Sequence, residues 1–127
     1  MIQKKIKFID FQSQYKKDKK KILPILNNVF SSGEYVGGKY VEILENKLCQ
    51  YFKVKYAVCL NSGTDALVTS LIALGIKRND EVITVANSFV ATAAAIAHIG
   101  AIPIFIDTTN DLNMDATQLE NVITKKN

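Results

Sequence analysis

Only two cysteines, Cys49 and Cys59, occur in the 127 residues. That is too few for a disulfide-framed secreted domain, and neither has the closely spaced partner of a metal site. Both fall in apolar patterns and read as buried thiols, so no metal site is expected. No apolar run approaches the roughly 20 residues that cross a bilayer. The start, Met1-Ile2-Gln3-Lys4-Lys5, leads into polar residues and not into the apolar run of a signal peptide. A cytoplasmic protein with no membrane partner is therefore expected. Two nucleotide-binding motifs are also missing: neither Gly-x-x-x-x-Gly-Lys-Ser/Thr nor Gly-x-Gly-x-x-Gly occurs. The lone histidine, His98, closes an amphipathic stretch, the place of a helix-end cation or a surface residue.

What remains is ordinary for a globular domain, with 48% apolar and 22% charged residues. The length fits one small domain. The net charge of +4 invites a nucleic-acid reading, but most of the excess sits in Lys16, Lys17, Lys19, Lys20 and Lys21. Such a run is ordinarily the solvated face of a helix. Zinc-finger spacing and aromatic-rich basic strands are lacking, so no nucleic-acid partner is expected.

Along the chain, two helical stretches come first. Ile22, Leu26, Val29 and Phe30 share one face of a helix from about Ser13 to Phe30, and Pro24 either kinks it or starts it anew. Val41, Leu44, Leu48, Tyr51 and Phe52 define the second. From Tyr56 the pattern alternates between strand and helix. Tyr56–Leu60, Glu81–Val85 and Ile102–Asp107 read as strands. Helices follow at 66–74, at about 89–98 and after Asp115 through Val122 and Ile123, with Gly75 and Gly100 closing the first two. Pro103 suggests that the third strand begins outside the ladder, and Asp115 with Gln118 suggests a capping box. This predicts an α/β fold, mainly a parallel sheet with flanking helices. An N-terminal helical segment, 1–55, precedes the strand–helix units of 56–127, and both are expected to be parts of one domain.

Two loops could carry chemistry. Asn61-Ser62-Gly63-Thr64-Asp65 follows a strand and opens a helix, where free N–H groups and the positive end of the dipole suit a phosphate. Ser62 and Thr64 add hydroxyls. Thr64 or Asp65 acting only as a helix cap explains the same residues equally well. In the next unit, Ala86-Asn87-Ser88-Phe89 occupies the corresponding place. Phe89 could stack on a flat heteroaromatic ring, or pack as core beneath the loop.

The blocks Ser62-Gly63-Thr64-Asp65-Ala66-Leu67, Gly75-Ile76-x-x-x-Asp80-Glu81-Val82-Ile83, Ser88-Phe89-Val90-Ala91-Thr92 and Gly100-Ala101-x-Pro103-x-Phe105-x-Asp107 stand in order along the chain. With Phe8-Ile9-Asp10, Gly33-Glu34-Tyr35-Val36-Gly37 and Asn113-Met114-Asp115, they resemble the DegT/DnrJ/EryC1/StrS family of sugar aminotransferases. Asn79 stands where that family often has glycine, in a turn where asparagine tolerates the left-handed conformation. The resemblance implies part of the large domain of a fold type I transferase that uses pyridoxal 5'-phosphate (PLP). It implies Gly63, Thr64 and Asp65 at the cofactor phosphate, Phe89 on its ring, and Tyr35 near the substrate or a subunit boundary.

The implied partners are a nucleotide-diphosphate keto sugar, an amino-acid donor such as glutamate, and a second copy in a homodimer. The implied setting is cell-surface polysaccharide biosynthesis. No catalytic residue is assigned here, because the family's Schiff-base lysine and pyridinium carboxylate are expected beyond these 127 residues, and this chain alone is expected to be inactive. The contrasting expectation is a non-catalytic α/β module that binds a phosphorylated ligand or serves in an assembly.

Overall fold

The computed structural model describes residues 6–124. Contacts divide the chain into one unit ending at Cys59 and a second beginning at Leu60.

In the first unit, α1 (Phe11–Ser32) starts two residues before the apolar pattern suggests, because Asp10 caps it. The Asp10 carboxylate accepts the Ser13 N–H at 3.3 Å and the Ser13 hydroxyl at 2.7 Å. Pro24 lies inside this one helix, so it marks no second start. Gly33 ends α1 at a φ of 73°, which glycine adopts without a Cβ penalty. The five clustered lysines are all exposed. Next comes α2 (Lys39–Phe52). The Glu45 carboxylate on α2 accepts the Cys59 N–H at 2.8 Å and so holds the following stretch.

That stretch corrects one expectation. Residues 56–60 form no strand, and Tyr56 and Val58 are largely exposed. A strand is completed by its neighbour, and this run has no ladder partner among the described residues. Cys49 and Cys59 are half-buried free thiols, not fully buried ones.

The second unit holds α3 (Gly63–Ala73), β1 (Glu81–Val85), α4 (Ala91–His98) and β2 (Ile102–Ile106). A 3-10 turn (Ala116–Gln118) then leads into the short α5 (Leu119–Val122). β1 and β2 pair in parallel from Glu81 opposite Ile102 to Val85 opposite Ile106. The fold is thus α/β with a parallel sheet, which among the described residues has two strands and not the expected three. Pro103 lies inside the ladder, opposite Val82. The Ile102 N–H reaches the Asp80 carbonyl at 2.8 Å, so the alternation of a strand turns residue 103 towards the open edge. A missing N–H costs little there.

The core lies where α4 meets the sheet. Ala91, Ala95 and Ile96 of α4 are buried with Thr84 of β1, Ala101 and Ile106. Alanine is the best helix former and its small side chain lets the helix approach the strands closely. α3 packs on the same helix. Two turns set the strand starts. Gly75 (φ 82°) ends α3, and the Asp80 carboxylate accepts the Lys77 N–H at 2.7 Å. Asn79 takes a φ of 70°, as its residue type permits, and donates its N–H to the Gly100 carbonyl at 2.9 Å.

After β2, Asp115 caps the 3-10 turn by accepting the Thr117 N–H at 3.0 Å. The expected capping box is altered: the Gln118 amide donates to the Asp115 carboxylate at 2.8 Å. The Asp115 N–H is already given to the Asp107 carbonyl at 3.1 Å.

Candidate functional site

Helix α3 begins at Gly63, so its cap is Ser62, two residues before Thr64 and three before Asp65. Ser62 is extended (φ −152°, ψ 158°). Its hydroxyl accepts the Asp65 N–H at 3.0 Å and donates to the Asp65 carboxylate at 3.0 Å. The pattern Ser-x-x-Asp carries the signal for this cap, a variant of the capping box in which the acidic side chain returns to the hydroxyl. The Ala66 N–H makes the first intrahelical bond, to the Ser62 carbonyl at 3.1 Å. Of the first helical donors, Asp65 is therefore satisfied, while those of Gly63 and Thr64 have no place in the helix ladder. The exposed Thr64 hydroxyl makes no hydrogen bond among the described residues.

Gly63 itself is informative. Its backbone is an ordinary first helical residue, and a Cβ added there would meet nothing within 4 Å. Neither backbone strain nor packing inside the protein requires glycine at this position. Its absent side chain leaves open space at the positive end of an 11-residue helix, where two N–H groups stand outside the ladder. A phosphate fits that donor set.

The second loop lies between the carboxyl end of β1 and α4. α4 begins at Ala91, so Phe89 precedes the helix and does not start it. Phe89 is 77% exposed, so among the described residues it does not pack as core beneath the loop. The Phe89 carbonyl accepts the Thr92 N–H at 3.0 Å. The Ser88 and Thr92 hydroxyls lie 2.9 Å apart across it. The packing of α3 on α4 ties together the two helices that these loops open.

Tyr35 lies in the first unit, whereas Gly63, Thr64, Asp65 and Phe89 lie in the second. Its hydroxyl donates to the Phe30 carbonyl at 3.2 Å, and its ring stands 6.2 Å from that of Phe30. Among the described residues no cluster of three metal-ligating side chains occurs, and no helix is long and apolar enough to cross a membrane. His98 is exposed in the last turn of α4.

The class is defined first by the fold. The crystal structure of DesV from S. venezuelae superimposes with a TM-score of 0.90 at 30% identity, over 95% of this chain and 33% of that one. The structure of ntda from Bacillus subtilis, with bound cofactor pmp, gives 0.80 at 36% identity over 87% of this chain and 26% of that one. In sequence, the UDP-2-acetamido-2-deoxy-3-oxo-D-glucuronate aminotransferase of Pseudomonas aeruginosa is 38% identical over 122 residues, which are 95% of this chain and 34% of that protein. The chain belongs to the DegT/DnrJ/EryC1/StrS aminotransferase family, whose model matches residues 16–127. It spans about a third of the length of the relatives it matches.

Proposed function

We propose that this chain supplies the phosphate end of a PLP site in an aminotransferase. That enzyme converts a keto group of a nucleotide-diphosphate sugar to an amino group, with glutamate as donor. It works as a cytoplasmic homodimer in the making of cell-surface sugars. Segments 1–55 and 56–127 belong to one large domain of that enzyme. Family membership and the names of the relatives support the activity. The observation that carries the site is Gly63, where an added Cβ would meet no atom within 4 Å at a helix start with two N–H groups outside the ladder.

In this reading the N–H groups of Gly63 and Thr64, with the Thr64 hydroxyl, hold the phosphate. Asp65 keeps Ser62 and the first turn in place, its own N–H being engaged. The exposed Phe89 ring covers one face of the pyridine, while a role for Tyr35 near the substrate or a subunit boundary rests on the family resemblance alone. PLP, when bound, supplies the electron sink that amino transfer requires. The residues of this chain bind and orient it. No lysine lies in either loop, 61–65 or 86–92, so these loops hold the cofactor without offering an amine to its aldehyde.

Calorimetric titration of the whole gene product with PLP tests the cradle. Gly63→Leu should weaken binding tenfold or more. The melting temperature should stay level or rise, since leucine is the better helix former and its Cβ would meet no atom within 4 Å there. Equal affinity in the variant would remove the cradle reading. The 127 residues alone should show no amino transfer from glutamate to a nucleotide-diphosphate keto sugar, and turnover by them would place the catalytic amine within this chain. If the whole gene product binds PLP but never transfers an amino group, the non-catalytic module takes its place.

A further inference from the structure

An exposed ring can hold a ligand face only if something other than packing sets its direction. With 77% of Phe89 open to solvent and no ring partner for it among the described residues, the adjoining backbone must do this. That backbone is held on both sides. The Ser88 N–H donates to the Ala86 carbonyl at 2.8 Å, and the Thr92 N–H donates to the Phe89 carbonyl at 3.0 Å. Across the top, the Ser88 and Thr92 hydroxyls are 2.9 Å apart. Residues 88 and 92 thereby close a small loop containing Phe89, and the other end of that loop is rooted in α4, whose Ala91 and Ala95 are buried against the sheet unit.

We propose that the Ser88–Thr92 hydroxyl pair positions Phe89 for stacking on the cofactor ring. The inference rests on the PLP reading of this site and adds two positioning residues to it. The pair touches no cofactor atom in this account. It acts by limiting the directions in which the Phe89 Cα–Cβ bond can point. Stacking depends on the angle and offset of the rings, so a looser loop weakens binding and alters how the bound chromophore is held.

The test uses the whole gene product and PLP, read by calorimetric affinity and by the visible circular dichroism of bound PLP. Wild type should bind with an induced signal, and Phe89→Leu should lose affinity. Ser88→Ala and Thr92→Val should each weaken binding roughly threefold to tenfold, the range expected for one lost hydrogen bond. Both should change the induced signal, and Thr92→Ser should restore both readouts. If Phe89→Leu binds as wild type does, the reading of Phe89 falls, and this inference with it. If Phe89→Leu weakens binding while Ser88→Ala and Thr92→Val leave affinity and dichroism unchanged, the positioning role alone is overturned. Failure of Thr92→Ser to rescue would assign the effect of Thr92→Val to packing and also overturn it. Should Thr92→Val not fold, the exposed Ser88→Ala carries the same decision.

Discussion

At the scale of single residues, one hydroxyl organises the start of α3. Ser62 Oγ accepts one N–H and donates to one carboxylate oxygen, both on Asp65. It thereby uses up the third helical donor and leaves the first two. Replacing Ser62 by alanine should cost about 1 kcal/mol of stability, seen as a lower melting temperature. Aspartate at the same place should recover less than a usual cap, because it would face Asp65. A Ser62→Ala melting temperature equal to that of wild type would show that the cap adds nothing. The Ser-x-x-Asp spacing makes this cap legible in the sequence. The exposure of Phe89 is not legible there. An aromatic beside a helix start has the same local pattern whether it is covered or open, and only the placement of the rest of the chain decides.

At the scale of elements, the turns that precede the strands do much of the positioning. The Asn79 N–H and the Gly100 carbonyl join the turn before β1 to the turn before β2. Gly100 has a φ of 81°, and an added Cβ would stand 3.1 Å from Arg78 Cγ. Gly100→Ala should therefore destabilise the chain by about 1–3 kcal/mol, measurable as a shift in urea midpoint at unchanged slope. An unchanged midpoint would show that the turn relaxes without strain. Glycine and asparagine announce these turns by their conformational freedom, and the alanine-rich α4 announces itself by propensity. The run 56–60 is the contrasting case. Its residues suit a strand, but strand formation is a relation between two segments, and no local pattern contains the partner.

For the whole molecule, acid stability follows from three hydrogen-bonded carboxylates, those of Asp10, Asp111 and Asp115. Hydrogen bonds from Thr109, and then from Asn113, hold Asp111 down to about 2, against an ordinary 3.8. Asp10 is lowered by Ser13 and Lys7, and Asp115 by Thr117 and Gln118. Each carboxyl is more acidic folded than unfolded. Its contribution is present above the ordinary carboxylate range and is lost as pH falls through the folded value. Melting temperature should thus fall between about pH 4 and pH 2, the window set by the Asp111 values. Asp111→Asn should melt lower than wild type at neutral pH, and the two should converge near pH 2. Parallel curves across that window would show that Asp111 contributes nothing through its charge.

By itself the sequence determined what short-range physics controls: the amphipathic α2, the alanine-rich α4, the glycine and asparagine turns, the α/β alternation and the blocks that mark the family. Only the tertiary structure decided that two of the three apolar runs pair, that Pro103 turns its missing donor to the open edge, that Phe89 is bare, and that no protein atom needs the space beside Gly63. Pairing, exposure and empty space depend on residues far apart in the chain, and a local pattern carries no record of them.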